Sequence, residues 1–350
     1  MFECRQLSEA FPDLIIPHSG DQKRKFYKIT SAVLADRQSL IFVNNTADLA
    51  LSIQNQAAAI VFNKTKNPQS DTPSDITFLS SPNPYLAMAR CLSTFFPNQR
   101  VPQNEARIHP TAQVSTQASI GPNVFIGANT IIHGYASIKE NCVIRENCVI
   151  ETSAEIGANS HLHPFVVIGR NCKLGRDCII QSFTTIGSEG FGYAIDEKNE
   201  RHHIPHKGSV ILGDRVEIGA SCTIDRGTFE DTVIGEACKL DNQIHIGHNV
   251  RIGNRATLTG GYMMAGSTII GDNFTAGARS GTLGHLRVGD NVTLTTDAIV
   301  VTDILEPGVY GGFPAIPVAQ FKKNLVTLRK IGELRTQVTQ LMKAVFKEKH

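Results

Sequence analysis

The chain has 350 residues, of which 41% are hydrophobic and 19% charged, an ordinary globular composition with room for two domains or one long repeat array. A net charge of +2 offers no electrostatic case for nucleic acid or an anionic membrane surface. The N-terminus MFECRQLSEAF carries charge early and lacks an apolar core, which excludes a secretory signal, and no run approaches the ~18 apolar residues of a membrane span, so the expected compartment is the cytoplasm.

Residues 1–100 read as a small α/β domain. SLIFVNN and AAIVFN are short β-rich runs bounded by polar residues, and NPYLAMARCLSTFF predicts a helix capped by Asn83 ahead of Pro84. FPNQRVPQNEAR is the expected linker to the second region of the chain.

From Ile108 an aliphatic residue recurs every six positions through Ile186, then at Leu212, Ile218 and Ile224, and in a new phase from Ile234 to Val300. Many of these residues are followed by Gly and two polar residues, as in IGANT and LGRDC. Such a hexapeptide period predicts a parallel β-helix over residues 101–317, with three hexads per coil of 18 residues and coils stacked at the ~4.8 Å spacing of hydrogen-bonded strands. The glycine is expected to take turn angles that other residues avoid. Cys142, Cys148, Cys172, Cys178, Cys222 and Cys238 each fall four residues after a repeat aliphatic, a slot that holds small residues elsewhere. With no CxxC pair in the chain, they read as small interior hydrophobes rather than zinc ligands.

Two segments break the period: GSEGFGYAIDEKNERHHIPHKGS at 187–209 and TFED at 228–231. Long loops on a rigid solenoid are where ligand contacts concentrate. After the Gly/Pro segment EPGVYGGFPAIPVA, apolar residues from Phe321 to Val345 recur at three- and four-residue steps, predicting an amphipathic helical extension over 318–350 suited to self-association. Its Lys322, Lys323, Arg329, Lys330 and Arg335 form either a solvated face or a dock for an acidic protein.

The order of these features, with GFGYA, TIDRGTFEDTVIG, DNQIHIGHNV, GGYMMAGS and EPGVYGGFPAIP, resembles the UDP-3-O-(3-hydroxyacyl)glucosamine N-acyltransferases of lipid A synthesis. The resemblance spans essentially the whole chain and is most specific over residues 101–317. It implies a left-handed β-helix, a homotrimer with active sites between neighbouring prisms, a UDP-sugar acceptor, and an acyl carrier protein thioester as donor, with no bound cofactor and no metal. It also implies a uridine-binding N-terminal domain. The aromatic residue that the family places after an Asn is missing from FVNNTADLA, leaving Phe42, Asn44 and Asn45 as the candidates there.

Acyl transfer to an amine needs a base that ionises near neutrality, as an unperturbed imidazole does at ~6.5, and N–H donors for the oxyanion. His248 of IGHN is the family match for the base and Gly266 for the oxyanion donor; 18 residues apart, they stack on consecutive coils. Asp241 could orient the His248 ring. His285 could bind the donor carbonyl or the sugar, Asn242 and His245 share the histidine segment as binding candidates, and Phe191 and Tyr193 could contact the sugar nucleotide. Ile299 and Val301 lie on late coils where an acyl chain could be measured. A zinc site of His245, His248 and His285 is a competing reading, disfavoured because residues three apart on a strand face opposite ways. An O-acyltransferase of the same pathway competes as well, although it lacks a domain like residues 1–100, and so does a non-catalytic scaffold.

Overall fold

In the computed structural model, residues 1–63, 65, 73–97, 107–311 and 318–347 are described. The chain divides into two units, Met1–Arg100 and Val101–His350. The linker residues 98–106 and the 312–317 part of the Gly/Pro segment lie outside the described residues.

In the first unit, the apolar runs Ser39–Val43 and Ala59–Phe62 form central strands of a five-stranded sheet, flanked by Lys28–Ile29, Thr77–Ser80 and Ile16–Ser19. Helix Pro84–Phe95 starts as its sequence predicts, with the Asn83 side chain accepting the Leu86 N–H at 3.1 Å. The sheet buries Leu40, Ala59, Val61 and Leu79 on one side and Ile41, Val43, Ile60 and Phe78 on the other. This two-faced burial explains why its strands read as continuous apolar runs.

The second unit is the parallel β-helix. Its hexads stack into three parallel sheets of ten, ten and nine strands, in which repeat aliphatics from successive coils, such as Ile126, Ile144 and Leu162, lie in register. These aliphatics fill one continuous core. The six cysteines point into it with no exposed surface, and burial pushes the thiols of Cys142, Cys148 and Cys178 up to about 11. Each of these three donates to a backbone carbonyl of the next coil, as Cys142 does to Gly157 at 3.1 Å. They are inert core residues at neutral pH.

The glycines need a different account from the one the sequence suggests. Left-handed angles recur every sixth residue, but three positions after the aliphatic, at residues such as Asn123, Asn141 and Asn159 with φ between 58° and 61°. Asparagine tolerates that conformation, and its amides form ladders between coils, Asn123 to Asn141 at 3.2 Å and Asn141 to Asn159 at 3.1 Å. The glycine directly after the aliphatic is needed for clearance instead. A Cβ on Gly121 would lie 2.7 Å from the Glu140 nitrogen, and one on Gly157 would lie 2.4 Å from the Gly175 carbonyl group. Of the glycines in that position, only Gly187 takes a positive φ, +95°, where the long interruption leaves the prism.

The helix Val318–Lys347 leaves Leu328, Ile331, Leu334, Val338 and Leu341 exposed within the chain. Gly332 in this helix has open space where a Cβ would be. The contrast is testable by urea unfolding. Gly157→Ala should lose about 1–3 kcal/mol through forced coil separation. Gly332→Ala should be neutral or gain up to about 1 kcal/mol of helix propensity. Equal effects at the two positions would contradict the clearance account.

Candidate active site

The strand His245–Ile246 pairs with Met263–Met264, that with Gly281–Thr282, and that with Ile299–Val300. Ile246, Met264, Thr282 and Val300 point inward, so His245, Met263, Gly281 and Ile299 form a stripe on the outer face. With His248, Gly266, Leu283, Asp225 and Phe191 they line a cleft of about 460 Å³. Its wall is apolar where Met263, Leu283 and Ile299 stand, and Gly281 leaves a notch between Met263 and Ile299. The polar groups collect at the His248 end. A larger cavity of about 650 Å³ at the end of the prism involves Val301, Leu305 and Tyr310 but none of the histidines, and Ile299 borders both.

His248 is held by its neighbour in sequence. Its Nδ1 lies 3.0 Å from Oδ1 of Asn249, which sits in the left-handed corner position with φ 60°. The Asn249 amide orientation is fixed twice: its Oδ1 accepts the Thr228 N–H at 3.0 Å and its Nδ2 donates to the Glu230 carbonyl at 3.2 Å. The oxygen therefore faces the imidazole, so Nδ1 is the donor and, in the neutral ring, Nε2 is the nitrogen with the lone pair. Thr228 and Glu230 both belong to the TFED interruption, which thus sets the tautomer of the histidine.

The Nε2 edge of the ring lies over Gly266. A Cβ on Gly266 would sit 2.8 Å from Nε2 and 2.9 Å from Cε1, so only glycine leaves the ring its place. The Gly266 carbonyl accepts the His285 N–H at 3.1 Å, whereas the Gly266 N–H donates to no acceptor among the described residues. A free lone pair and a free backbone donor therefore stand at one end of an apolar cleft. This is an arrangement for moving a proton while stabilising a developing negative charge.

The long interruption covers the other side of His248. A Cβ on Gly190 would lie 2.8 Å from the His248 Cβ and 3.0 Å from Nε2 of His206. Phe191 is 85% exposed and lines the cleft; its ring meets Tyr193 edge-on at 5.1 Å. The neck of the loop is tied by Arg226, which is 1% exposed and donates to the carbonyls of Gly187 at 2.8 Å, Gly208 at 3.3 Å and Arg170 at 3.2 Å. Asp225 beside it accepts from the Ser188 hydroxyl at 2.8 Å, and burial raises its carboxyl above the usual range.

The other sequence-based candidates take the following places. Within the chain Asp241 does not orient His248: its carboxylate accepts the Gly260 N–H at 3.0 Å, and Asn249 does the orienting. Asn242 accepts the Ala220 N–H at 2.7 Å and serves the coil ladder. His285 lies 18 residues beyond Ser267 rather than Gly266, in an exposed left-handed corner with φ 61°, and is not part of the cleft wall. His245 and His248 line the same cleft, because the corner between them ends the strand alternation that would oppose them. His245 is engaged by Thr223, its Nδ1 2.9 Å from the hydroxyl, with Asp225 3.8 Å from Nε2. Within one chain, His245, His248 and His285 do not form a three-ligand cluster among the described residues. In the N-terminal unit, Asn45 caps the helix Thr46–Gln54, accepting the Asp48 N–H at 2.8 Å, while Phe42 packs partly buried and Asn44 is half-buried.

The sequence reading missed Asn249, Asp225, Arg226, Gly190 and His206. Asp225 offered a signal: it stands directly after a repeat aliphatic, where glycine is common, and a charged pair there departs from the pattern. Asn249 offered none, since asparagine is the commonest residue in that corner. Asn249→Ala should release the His248 ring. ¹⁵N NMR of the imidazole would then show the Nδ1-protonated form giving way to a mixture; an unchanged spectrum would mean that another group sets the tautomer.

The family described as "Bacterial transferase hexapeptide (six repeats)" matches residues 117–152 and 153–188. UDP-3-O-acylglucosamine N-acyltransferase of Herminiimonas arsenicoxydans is 38% identical over 312 residues, covering 89% of each chain. The enzyme of the same name from Methylococcus capsulatus is 40% identical over 158 residues, a match spanning 45% of each chain. Arabidopsis UDP-N-acetylglucosamine acyltransferase shares the fold, with a TM-score of 0.53 at 22% identity over 65% of this chain and 81% of that one. The alignment across nearly the full length, together with the repeat, places this chain in the UDP-3-O-acylglucosamine N-acyltransferase family.

Proposed function

We propose that the protein transfers a 3-hydroxyacyl chain from an acyl carrier protein thioester to the 2-amino group of UDP-3-O-(3-hydroxyacyl)glucosamine. The observation that carries this reading is the His248 ring, oriented by Asn249 with its Nε2 edge over Gly266 at the mouth of an apolar cleft. The amine nitrogen attacks the thioester carbonyl carbon while Nε2 takes its proton. The carbonyl oxygen becomes an oxyanion and accepts the Gly266 N–H. Collapse breaks the C–S bond, and the leaving sulfur takes the proton from the His248 imidazolium. The amide and the free thiol are the products, and no electrons change hands.

The stripe of Met263, Gly281 and Ile299 supplies an apolar bed for the acyl chain, with the notch at Gly281 admitting its width. Phe191 and Tyr193 stand at the cleft rim as sugar-nucleotide contacts, with His245 on its floor. Phe42 and Asn44 are the uridine candidates in the N-terminal unit. The chain works as a cytoplasmic homotrimer, in which the exposed apolar face of the helix Val318–Lys347 is covered by its copies and His285, on an outer corner, faces a neighbouring prism. No helix among the described residues is long and apolar enough to cross a membrane.

The test is acyl transfer to UDP-3-O-acyl-glucosamine from a panel of hydroxyacyl carrier proteins, with the product read by mass. His248→Ala should lower turnover by roughly 10²–10⁴-fold, as for removal of a general base, with an unchanged melting temperature. Absence of product with every donor, or full activity in His248→Ala, would overturn the reading.

A further inference from the structure

His206 is the group in the loop that the proposed reaction leaves unexplained. It has no exposed surface, and its Nδ1 lies 2.9 Å from the Ile204 carbonyl oxygen. A carbonyl only accepts, so Nδ1 is the donor and, in the neutral ring, Nε2 presents the lone pair. That Nε2 is buried and has no hydrogen-bond partner among the described residues. A buried acceptor without a partner is costly, and native structures supply it with a water, a proton donor or a metal ion.

Two further ligand groups stand beside this imidazole. Glu189 follows the strand Thr185–Ser188 on the outgoing arm of the loop, and His203 ends the strand Arg201–His203 on the returning arm. One ligand atom from each of Glu189, His203 and His206 lies within 4.8 Å of the other two. Oε2 of Glu189 is 3.3 Å from Nε2 of His203, which matches the edge of a tetrahedron whose ligands stand ~2.0–2.1 Å from a central ion. The Arg170 guanidinium reaches the other carboxylate oxygen at 3.4 Å and the His206 carbonyl at 3.0 Å, so it steadies two of the three ligands from outside. The lone pair that a carbonyl has turned outward on His206 is the usual preparation of a metal-binding imidazole.

We infer that Glu189, His203 and His206 form a site for a zinc-class divalent cation, which clamps the neck of the loop carrying Gly190 and Phe191 against His248. Two imidazoles and one carboxylate suit zinc, whereas magnesium and calcium prefer oxygen ligands throughout. The ion would join the two arms of the loop and leave a fourth position to water. A second group, Asp196, Glu200 and His202, lies on the same hairpin but is fully exposed and already satisfied: Asp196 accepts two backbone N–H groups at 2.9 Å and pairs with His202 at 2.8 Å. It serves as the control.

The test uses untagged full-length protein stripped with a chelator and titrated with Zn²⁺ by calorimetry, with thermal melting alongside. One ion per chain at micromolar affinity or better is expected, with a melting temperature that rises with Zn²⁺. His203→Ala and His206→Gln should each weaken binding by at least roughly 10–100-fold, the loss usual for an outer-shell partner alone, while His202→Ala leaves it intact. Because His203 is exposed, His203→Ala decides the matter should His206→Gln fail to fold. Absence of stoichiometric binding would mean that water occupies the site; retained affinity in a folded His203→Ala or His206→Gln, or loss in His202→Ala, would also overturn the proposal. The readout is binding, so its failure leaves the acyl-transfer reading untouched.

Discussion

The closeness of successive coils governs this molecule. Each turn of the prism is hydrogen-bonded to the next through backbone groups at strand spacing, and at many corners there is no room for a Cβ between them. That constraint places the glycines after repeat aliphatics, whereas the inward slot four residues after an aliphatic is not restricted to small residues: it takes Cys, Ala, Ser or Thr in many coils, Val or Ile in others, and the buried rings of Tyr262 and Phe274 in two late ones. The same constraint leaves the left-handed corners to asparagine and other residues that tolerate them. It fixes the vertical distance between any two residues one coil apart, so side chains on the outer face are positioned by arithmetic. His248 and Gly266 meet for that reason, and a ring that lies across the next coil can do so only over a glycine.

A strict repeat cannot by itself make a site, since every coil would then carry the same groups. The two interruptions break the equivalence. TFED supplies the carbonyl of Glu230 and the N–H of Thr228 that orient Asn249, and through it His248. The long loop leaves the prism at Gly187 and returns to lay Gly190 and Phe191 beside the same histidine. Its departure frees carbonyls that no coil can pair, and Arg226 answers them with three donors from a fully buried guanidinium. Taking a guanidinium out of water is costly unless its donors are paired, so the neck is held by an arrangement that works only when complete.

Most of the architecture was legible because period and burial are the same fact. An aliphatic at every sixth residue must face one core, and the cysteines, falling in a fixed slot, must face it too. The first unit was legible where its runs were long, in Ser39–Val43, Ala59–Phe62 and Pro84–Phe95, and less so in the short edge strands Lys28–Ile29 and Ile16–Ser19. At the candidate site, the stacking of His248 on Gly266 was legible and the groups that hold the ring were not. Asn249 looks like every other corner asparagine, and its special role depends on which carbonyl and which N–H an inserted segment brings near. Asp241 looked suited to orient an imidazole by type, yet the register gives its carboxylate to Gly260. Register places these residues, and His285, two coils plus one residue beyond His248, stands on a corner outside the cleft wall.

The cleft's chemistry is asymmetric along the prism, and the asymmetry follows from single positions in one stripe. His245, Met263, Gly281 and Ile299 occupy equivalent places on four consecutive coils. The stripe begins polar, beside the buried Asp225 carboxyl, and becomes apolar one coil later. A reacting carbonyl would therefore sit at the boundary, where Nε2 and the Gly266 N–H are, with its hydrocarbon tail lying up the prism. Were Gly281 to carry a side chain, the notch between Met263 and Ile299 would close, because a Cβ there already stands 3.0 Å from the Met263 carbonyl oxygen and 3.4 Å from Ile299 Cδ1. The coil spacing that admits only glycine beneath the histidine ring also gives the apolar bed its depth two coils above.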